Sequence, residues 1–377
     1  MRLRKRRRNH SNGWKVIRRC VFFFTAVCLI PVLLVLLVAT DHYMRPVRHV
    51  PFNLPQMYSE ENLLSEPSKT HNFSLVAKRL EMRRKHLKKV CKILGLDKPA
   101  NDTLHKPNAW EFLINVKHRL VWCNVFKAAS TSWMYNFNIL AGYSPKFLQR
   151  SKVVPVTLAR QKYPRPSLAS LRKALKNSIS FIIARHPFER LLSAYRDKLQ
   201  FSLPHTYHRK LGKEIICKYR REKNTNPKWP TYSEFVEYLV DSVKRGDRLD
   251  MHWAPVVEFC TPCMFDIKII AHTETLQEDQ MYLINKAGLN NIIKPQWKNA
   301  GKGATMLQIE KYYSQLTRSQ ILQLYHIYSF NFRFDFELFN YSLSGYLELG
   351  RPDKDPSVLL AAITMKDSNA NSMPQIY

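Results

Sequence analysis

Glycine is the first shortage. The chain has 377 residues and only 10 glycines, and it contains neither the G-x-G-x-x-G of a dinucleotide fold nor the G-x-x-x-x-G-K-[S/T] of a Walker P-loop. Any phosphate must therefore be held by a loop of other small residues. Acids are the second shortage: 29 Asp and Glu stand against 60 Lys and Arg, a net charge of +31. Such a surface attracts polyanions, whether nucleic acid, acidic lipid or acidic glycan. Paired metal motifs are missing too. Cys260-Thr261-Pro262-Cys263 is a C-x-x-C with no second one to complete a zinc site. No thioredoxin-like pattern surrounds it, so structural disulfides are the simpler reading. The one evident D-x-D, Asp353-Lys354-Asp355, follows Pro352 in a polar, unpatterned stretch rather than a strand end.

Charge is absent altogether from Cys20 to Ala39, twenty residues long enough to span a bilayer and longer than a usual signal-peptide core. Pro31 is tolerable in a membrane helix. Nine positives and no acid precede this run, and only Arg45 and Arg48 follow closely. The positive-inside rule then puts residues 1–19 in the cytosol as a basic tail, 20–39 in the membrane as a signal-anchor, and the rest in a lumen. A cleaved signal is the alternative. The basic tail is a topology determinant, and no nucleic-acid partner is expected. Taken off the +31, its nine charges leave +22 for the luminal part. Three sequons on that side make Asn72, Asn101 and Asn340 candidate glycosylation sites. Five cysteines lie there (Cys91, Cys123, Cys217, Cys260, Cys263), enough for at most two disulfides with one thiol left over, the pairing open.

Residues 40–72 carry Pro46, Pro51, Pro55 and Pro67 with little periodicity, as a stem would. The hydrophobic share of 45% supplies a core for one large domain over 73–350, and 351–377 reads as a loose C-terminal tail. Within the domain, helices are expected at 74–94, from about 133 to 140, at 166–176, at 231–243 behind the capping box Thr231/Glu234, at 274–287 and from 317. Strands are expected at 119–126, 181–184 and 266–271. Strands alternating with helices give an α/β fold: a P-loop-like central parallel sheet flanked by helices, on a type II membrane anchor.

Two strand–turn–helix units carry the chemistry. After the strand 119–126 comes Lys127-Ala128-Ala129-Ser130-Thr131-Ser132. Small residues let the backbone approach a ligand, hydroxyls and N–H groups gather at a helix N-terminus, and Lys127 adds a mobile charge. After the strand 181–184 comes Arg185, then Pro187 opening a helix that carries Ser193 in its second turn. An Arg at such a turn suits a second phosphate. The bland readings are a Ser/Thr-rich N-cap and a surface arginine. Two cradles on one sheet suit a ligand with two separated phosphates.

Lys127 to Trp133 resembles the 5′-phosphosulfate loop of membrane-bound Golgi carbohydrate sulfotransferases, and Arg185 to Lys198 (RHPFERLLSAYRDK) resembles their 3′-phosphate motif. The similarity is to the branch that sulfates chondroitin, dermatan and the HNK-1 glycan. Arg84–Cys91, His252–Pro255 with Cys260–Cys263, Glu274–Asp279 and Phe336–Ser342 also match, in order, across roughly residues 80–350. Phe126 stands where the family usually has Pro, and Trp297–Met306 lacks the expected His/Ser/Arg-rich pattern. The resemblance implies transfer of a sulfo group from 3′-phosphoadenosine 5′-phosphosulfate to a sugar hydroxyl, without a metal, in the Golgi lumen, on an acidic glycan. It implies that Lys127 stabilises the leaving phosphate, that Ala128, Ala129, Ser130, Thr131 and Ser132 line the 5′-phosphate, and that Arg185 and Ser193 hold the 3′-phosphate. His252 is the candidate base, beside Trp253 as a surface for sugar stacking, with Glu274 the lesser candidate and His186 a support of the turn.

Two other classes fit parts of the chain. A luminal glycosyltransferase would share the topology and would need the D-x-D at Asp353. A non-catalytic glycan-binding membrane protein would explain the charge but not two phosphate loops.

Overall fold

The computed structural model describes residues 73–358, apart from 103, 222–226, 297–307, 330–333 and 356. The apolar segment 20–39, the stem, the sequon at Asn72, the stretch Trp297–Met306 and the end of the tail lie outside the described residues. No described helix is long and apolar enough to cross a membrane. Contacts divide the chain into Met1–Ser68 and Lys69–Tyr377, and the second unit holds every described residue.

Four strands form one sheet in the order β1 (Phe112–Asn115), β2 (Leu120–Cys123), β3 (Ile179–Ala184), β4 (Ile269–His272). β2, β3 and β4 are parallel, with Cys123 opposite Ile182 and Ala184 opposite His272. Their carboxyl ends therefore share one edge, where the loops of an α/β sheet bind ligands. β3 is buried along nearly its whole length, as expected for a strand covered on both faces. Trp122 and Phe181 stack across β2 and β3 with ring centroids 6.1 Å apart, and Trp133 packs on Phe181 at 4.5 Å.

The sheet is not wholly parallel. β1 runs antiparallel to β2, Phe112 opposite Cys123 and Asn115 opposite Leu120. This hairpin has no Asn-Gly or Asp-Gly at its turn. Arg119 instead takes the left-handed conformation (φ 50°). Asn115 accepts from the His118 N–H at 2.9 Å and donates to the Tyr163 hydroxyl at 2.9 Å. A four-residue strand closed by side-chain bonds to residues three and forty-eight positions away leaves little local signal.

The helices that matter to the site are α1 (Phe73–Ile93), α2 (Ser130–Leu140), α3 (Leu168–Asn177), α4 (Pro187–Tyr195), α5 (Tyr207–Tyr219), α6 (Tyr232–Lys244), α7 (Leu276–Lys286) and α8 (Arg318–Tyr328). α1 buries Val76, Leu80, Leu87 and Cys91, one helical stripe, against β4 and α7. Its arginines are partnered: Arg79 and Arg83 both reach the fully buried Asp279 at 2.7 Å, and Arg84 reaches Asp266 at 3.0 Å. The expected capping box Thr231/Glu234 forms at α6, and α8 starts at Thr317 as expected, with a second, unanticipated capping box, Thr317/Gln320. α5 was not legible: Gly212 sits in its middle, facing Pro230, and only Leu211, Gly212 and Ile215 are buried.

Among the described residues two disulfides form, Cys91–Cys263 and Cys123–Cys260, and Cys217 is free and exposed. The C-x-x-C cysteines therefore bond to different partners, which removes the zinc reading. The tail does not come loose at residue 351. Arg351 exchanges backbone hydrogen bonds with Leu316 (2.8 Å) and Arg318 (3.0 Å), and Asp353 accepts from the Ser319 N–H at 3.1 Å and from its hydroxyl. Gly350 lets the chain pass close to α8: a Cβ there would lie 2.7 Å from Ile321 Cδ1 and 3.2 Å from the Arg318 backbone nitrogen. The first aspartate of the D-x-D is thus spent on capping α8, and Asp355 accepts from the Ser357 N–H at 2.8 Å. Polar sequence alone had suggested a free end.

Candidate active site

The loop between β2 and α2 turns sharply because Lys127 (φ 68°) and Ala129 (φ 56°) both adopt the left-handed region without being glycine. Such residues cost on the order of 1 kcal/mol or more each and persist only where neighbours impose them. Here Ala128 is fully buried and bonds Val125, and the Lys127 carbonyl accepts from Arg185 Nη1 at 3.1 Å. Ala129, at the N-cap of α2, has no side-chain acceptor, whereas Ser167, Thr206, Thr231 and Thr317 cap their helices with their own oxygens. An anion at the start of α2 would supply what Ala129 lacks. Ser130 is half-buried, Thr131 exposed and Ser132 only 2% exposed, so solvent reaches Ser130 and Thr131.

The turn after β3 organises the rest. Glu189, Ser193 and Asp197 recur every four residues, which puts them along one face of α4 and the π-helical turn Arg196–Gln200 that extends it, and Arg185 continues the spacing from the turn just before α4. Both ends of that row grip Lys127. Arg185 donates to its carbonyl, and Asp197 Oδ2 accepts from its ammonium at 3.1 Å. Lys198 Nζ lies 3.3 Å from the same carboxylate oxygen. Arg185 also reaches Glu189 Oε2, at long distances of 3.4 and 3.5 Å. Ser193 is half-buried between the two grips. Burial draws the Lys127 ammonium below its usual value, against the opposing pull of Asp197. Burial also works against the Asp197 carboxylate, but Lys127 and Lys198 outweigh it and hold it below its usual range. The unwound π turn, common at functional positions, is what swings Asp197 and Lys198 toward Lys127.

His186 supports the turn as expected. Its Nδ1 accepts from the Phe188 N–H at 3.2 Å, so its Nε2 donates to the Ser342 carbonyl at 3.0 Å, the pattern of a neutral ring. Burial pushes it down to about 4. Arg190, 1% exposed, points the other way and donates to the carbonyls of His252 (3.3 Å) and Ala254. α4 therefore carries both the Arg185 turn and the clamp on the His252 segment.

His252 stands beside the Lys127 loop: its ring centroid is 5.0 Å from that of Phe126. The Cys123–Cys260 disulfide joins the end of β2 to the helical turn Val256–Cys260 that follows this histidine. Nδ1 of His252 is 2.6 Å from Asp250 Oδ1, and His208 Nε2 is 3.1 Å from Asp250 Oδ2. Burial pulls the His252 imidazole below its usual value while Asp250 pulls the other way. Burial opposes the Asp250 carboxylate, but the hydrogen bonds from His208 and His252 prevail and keep it ionised well below the usual carboxylate range. Ligand-type atoms of the three residues lie within 4.8 Å of one another. The two hydrogen bonds already engage both carboxylate oxygens, so an ion there would have to displace both.

Trp253 is not a sugar platform. It is 1% exposed, packs edge-on to Phe235 at 5.4 Å, and its carbonyl accepts from Tyr328 at 2.6 Å. In a block this apolar, the aromatic went to the core. Glu274 follows β4 and accepts from the Tyr341 hydroxyl at 3.2 Å. Burial, then the nearby Glu189, raises its value. Its surroundings are those of Arg185 rather than of Lys127. Asn101 and Asn340 are exposed. A groove of about 380 Å³ beside Asn340 is lined by α1, His272 and Leu338–Asn340 and includes none of Lys127, Arg185 or His252. The structure adds Glu189, Arg190, Asp197, Lys198, Asp250 and His208 to the site. The four-residue row was readable in the sequence; the last two were not, since only the fold brings residue 208 to residue 250.

The sulfotransferase family's sequence profile matches residues 110–342. The chain is 27% identical over 281 residues to carbohydrate sulfotransferase 11 of Rattus norvegicus, covering 71% of this chain and 78% of that protein. It is 28% identical over 279 residues to carbohydrate sulfotransferase 10 of Xenopus laevis (70% and 77%) and 31% identical over 245 residues to that of Pongo abelii (61% and 67%). No solved structure matches.

Proposed function

The chain belongs to the sulfotransferase family, and from that premise we propose that it transfers a sulfo group from 3′-phosphoadenosine 5′-phosphosulfate to a hydroxyl of a glycan. The acceptor is a chondroitin- or dermatan-type glycosaminoglycan or a related glycoprotein glycan. A carbohydrate acceptor follows the names of its relatives, carbohydrate sulfotransferases 10 and 11; its acidic character follows the +22 charge remaining beyond the basic tail, and the chondroitin/dermatan type follows the motif resemblance of Lys127–Trp133 and Arg185–Lys198. The observation that carries the reading is the double grip on Lys127 from the two ends of α4, Arg185 in the turn before it on the carbonyl and Asp197 in the π turn after it on the ammonium. It makes two anion-binding turns one unit, as a donor with phosphates at both ends of its ribose needs.

The residues fit that donor. The uncapped start of α2 at Ala129, with Ala128, Ser130, Thr131 and Ser132, would take the 5′-phosphate. Arg185, whose bonds to Glu189 are long, and Ser193 would take the 3′-phosphate. Lys127 brings positive charge to the leaving phosphate oxygen, where negative charge grows during an in-line displacement. Its bond to Asp197 keeps the ammonium oriented. His252 accepts the acceptor's hydroxyl proton.

The setting is a Golgi membrane protein of type II orientation with its catalytic domain in the lumen. Two disulfides and exposed Asn101 and Asn340 favour an oxidising, glycosylating compartment, and residues 20–39 would be the anchor. The glycosyltransferase reading loses its motif, because Asp353 caps α8. The test is transfer from ³⁵S-labelled donor to chondroitin, dermatan, heparan and N-glycan acceptors with disaccharide analysis of the product. Incorporation into a chondroitin or dermatan disaccharide, without added metal, is expected. Failure on every glycan would overturn the proposal.

A further inference from the structure

Asp250 sits between two imidazoles that come from distant parts of the chain. Its Oδ1 accepts from His252 Nδ1 at 2.6 Å and from the His252 backbone N–H at 2.8 Å. Its Oδ2 accepts from His208 Nε2 at 3.1 Å, at the start of α5. An ionised carboxylate only accepts, so each ring nitrogen facing it carries the hydrogen. Neutral His252 is then the Nδ1–H tautomer, with its lone pair on Nε2. His208 also meets the ring edge-on at 5.3 Å, and from outside the trio Phe126 lies against it at 5.0 Å while Arg190 holds its carbonyl. Among the described residues no hydrogen bond engages His252 Nε2, the nitrogen turned away from Asp250.

We propose that Asp250 and His208 are positioning residues of the transfer: Asp250 selects the tautomer of His252 that offers Nε2 to the acceptor hydroxyl, and His208 holds Asp250 in the orientation that does so. The inference rests on His252 as the base. In the step, the acceptor O–H breaks and its proton goes to Nε2. The new O–S bond forms as the S–O bond to the phosphate breaks, and that electron pair stays on adenosine 3′,5′-bisphosphate. His252 becomes an imidazolium still bonded through Nδ1–H to Asp250, which remains ionised, and later gives the extra proton to water. The titratable and charged groups facing the ring are Asp250 and His208, Lys198 from the turn after α4, and Arg190 at its carbonyl. Asp250 favours the imidazolium; burial and Lys198 oppose it.

The test uses the full chain in detergent. Asp250→Asn is expected to lower kcat by about 100-fold, within the range a general base contributes, with adenosine 3′,5′-bisphosphate affinity changed less than about threefold. Because Asp250 raises the His252 value, the acid limb of kcat should move to lower pH in Asp250→Asn. Nitrogen-15 shifts of His252 should report the hydrogen moving from Nδ1 to Nε2. His208→Ala should lose about tenfold, and His208→Gln, whose amide can still donate to Asp250, should recover most of it. Should Asp250→Asn not fold, the His208 pair carries the same test through kcat and the acid limb. Wild-type kcat and acid limb in Asp250→Asn, alongside an inactive His252→Ala, would overturn the positioning roles and leave the base standing. A fully active His252→Ala would overturn the base itself. Activity lost to a chelator and restored by zinc or manganese would make the trio a metal site and overturn both.

Discussion

Replacing Arg185 with alanine separates a 3′-phosphate clamp from an ordinary buried ion pair. The Arg185 side chain is 15% exposed and that of Glu189 11%, yet their contacts are 3.4 and 3.5 Å, at the limit of hydrogen bonding. The short bond goes to the Lys127 carbonyl, 3.1 Å. The guanidinium is therefore held by the loop and free to turn toward an anion. A hydrogen bond to a charged group contributes about 1.5–3 kcal/mol. Losing one such bond weakens adenosine 3′,5′-bisphosphate by about 10- to 150-fold, at 1.4 kcal/mol per factor of ten. The sharper quantity is a ratio. Calorimetry on one sample compares adenosine 3′,5′-bisphosphate with adenosine 5′-monophosphate, which lacks only the 3′-phosphate. The wild type should prefer the bisphosphate strongly, Arg185→Ala should bind the two within a few-fold, and Arg185→Lys should fall between. Arg185→Ala also leaves Glu189 unpaired near Glu274, so its melting temperature should drop. The ratio is insensitive to that loss, because both nucleotides meet the same folded protein. A folded Arg185→Ala with wild-type discrimination would refute the two-loop reasoning.

Lys127→Ala should lower kcat about 10²- to 10³-fold while adenosine 3′,5′-bisphosphate affinity stays within about tenfold; a larger loss of affinity than of turnover would make Lys127 a binding residue only. His186 is held neutral at about 4 in the folded chain, below the ordinary value near 6.5. Its contribution is therefore complete above pH 6.5 and lost as pH falls toward 4, on the order of 3 kcal/mol in full. His186→Asn keeps an acceptor at the cap of α4 and should flatten the fall in melting temperature over that window, with His272, pushed to about 3, still contributing; an unchanged slope would count against it. Asp353→Ala should cost about 1 kcal/mol of stability, as a lost helix cap does, and leave sulfo transfer intact. A manganese-dependent activity abolished by the same change would instead revive the nucleotide-sugar reading.

The local patterns were legible in the sequence because each is written within some fifteen residues. The apolar run 181–184, Arg185 and the helical spacing after Pro187 announced β3 and α4; the capping residues of α6 and α8 announced those helices; small residues after Phe126 announced the close turn into α2. The four-residue row from Arg185 to Asp197 was present in the same letters, though the π turn that aims Asp197 at Lys127 was not. The upper limit of two disulfides followed from counting cysteines. Their partners did not: Cys91 and Cys263 are 172 residues apart, Cys123 and Cys260 137 apart, and no periodicity spans such a gap. The same holds for Arg190 under the His252 carbonyl and for His208 at Asp250, and for Trp253, which looked like a sugar platform and became core. Sequence determined that two strands end in tight turns leading into helices, one rich in small and hydroxyl residues and one opened by an arginine, because caps, spacing and residue size act between near neighbours. Only the order β1-β2-β3-β4 and the crossovers around it decided that those turns lie side by side and which distant side chains close on them, since that choice is made by burying the shared core and not by any one segment.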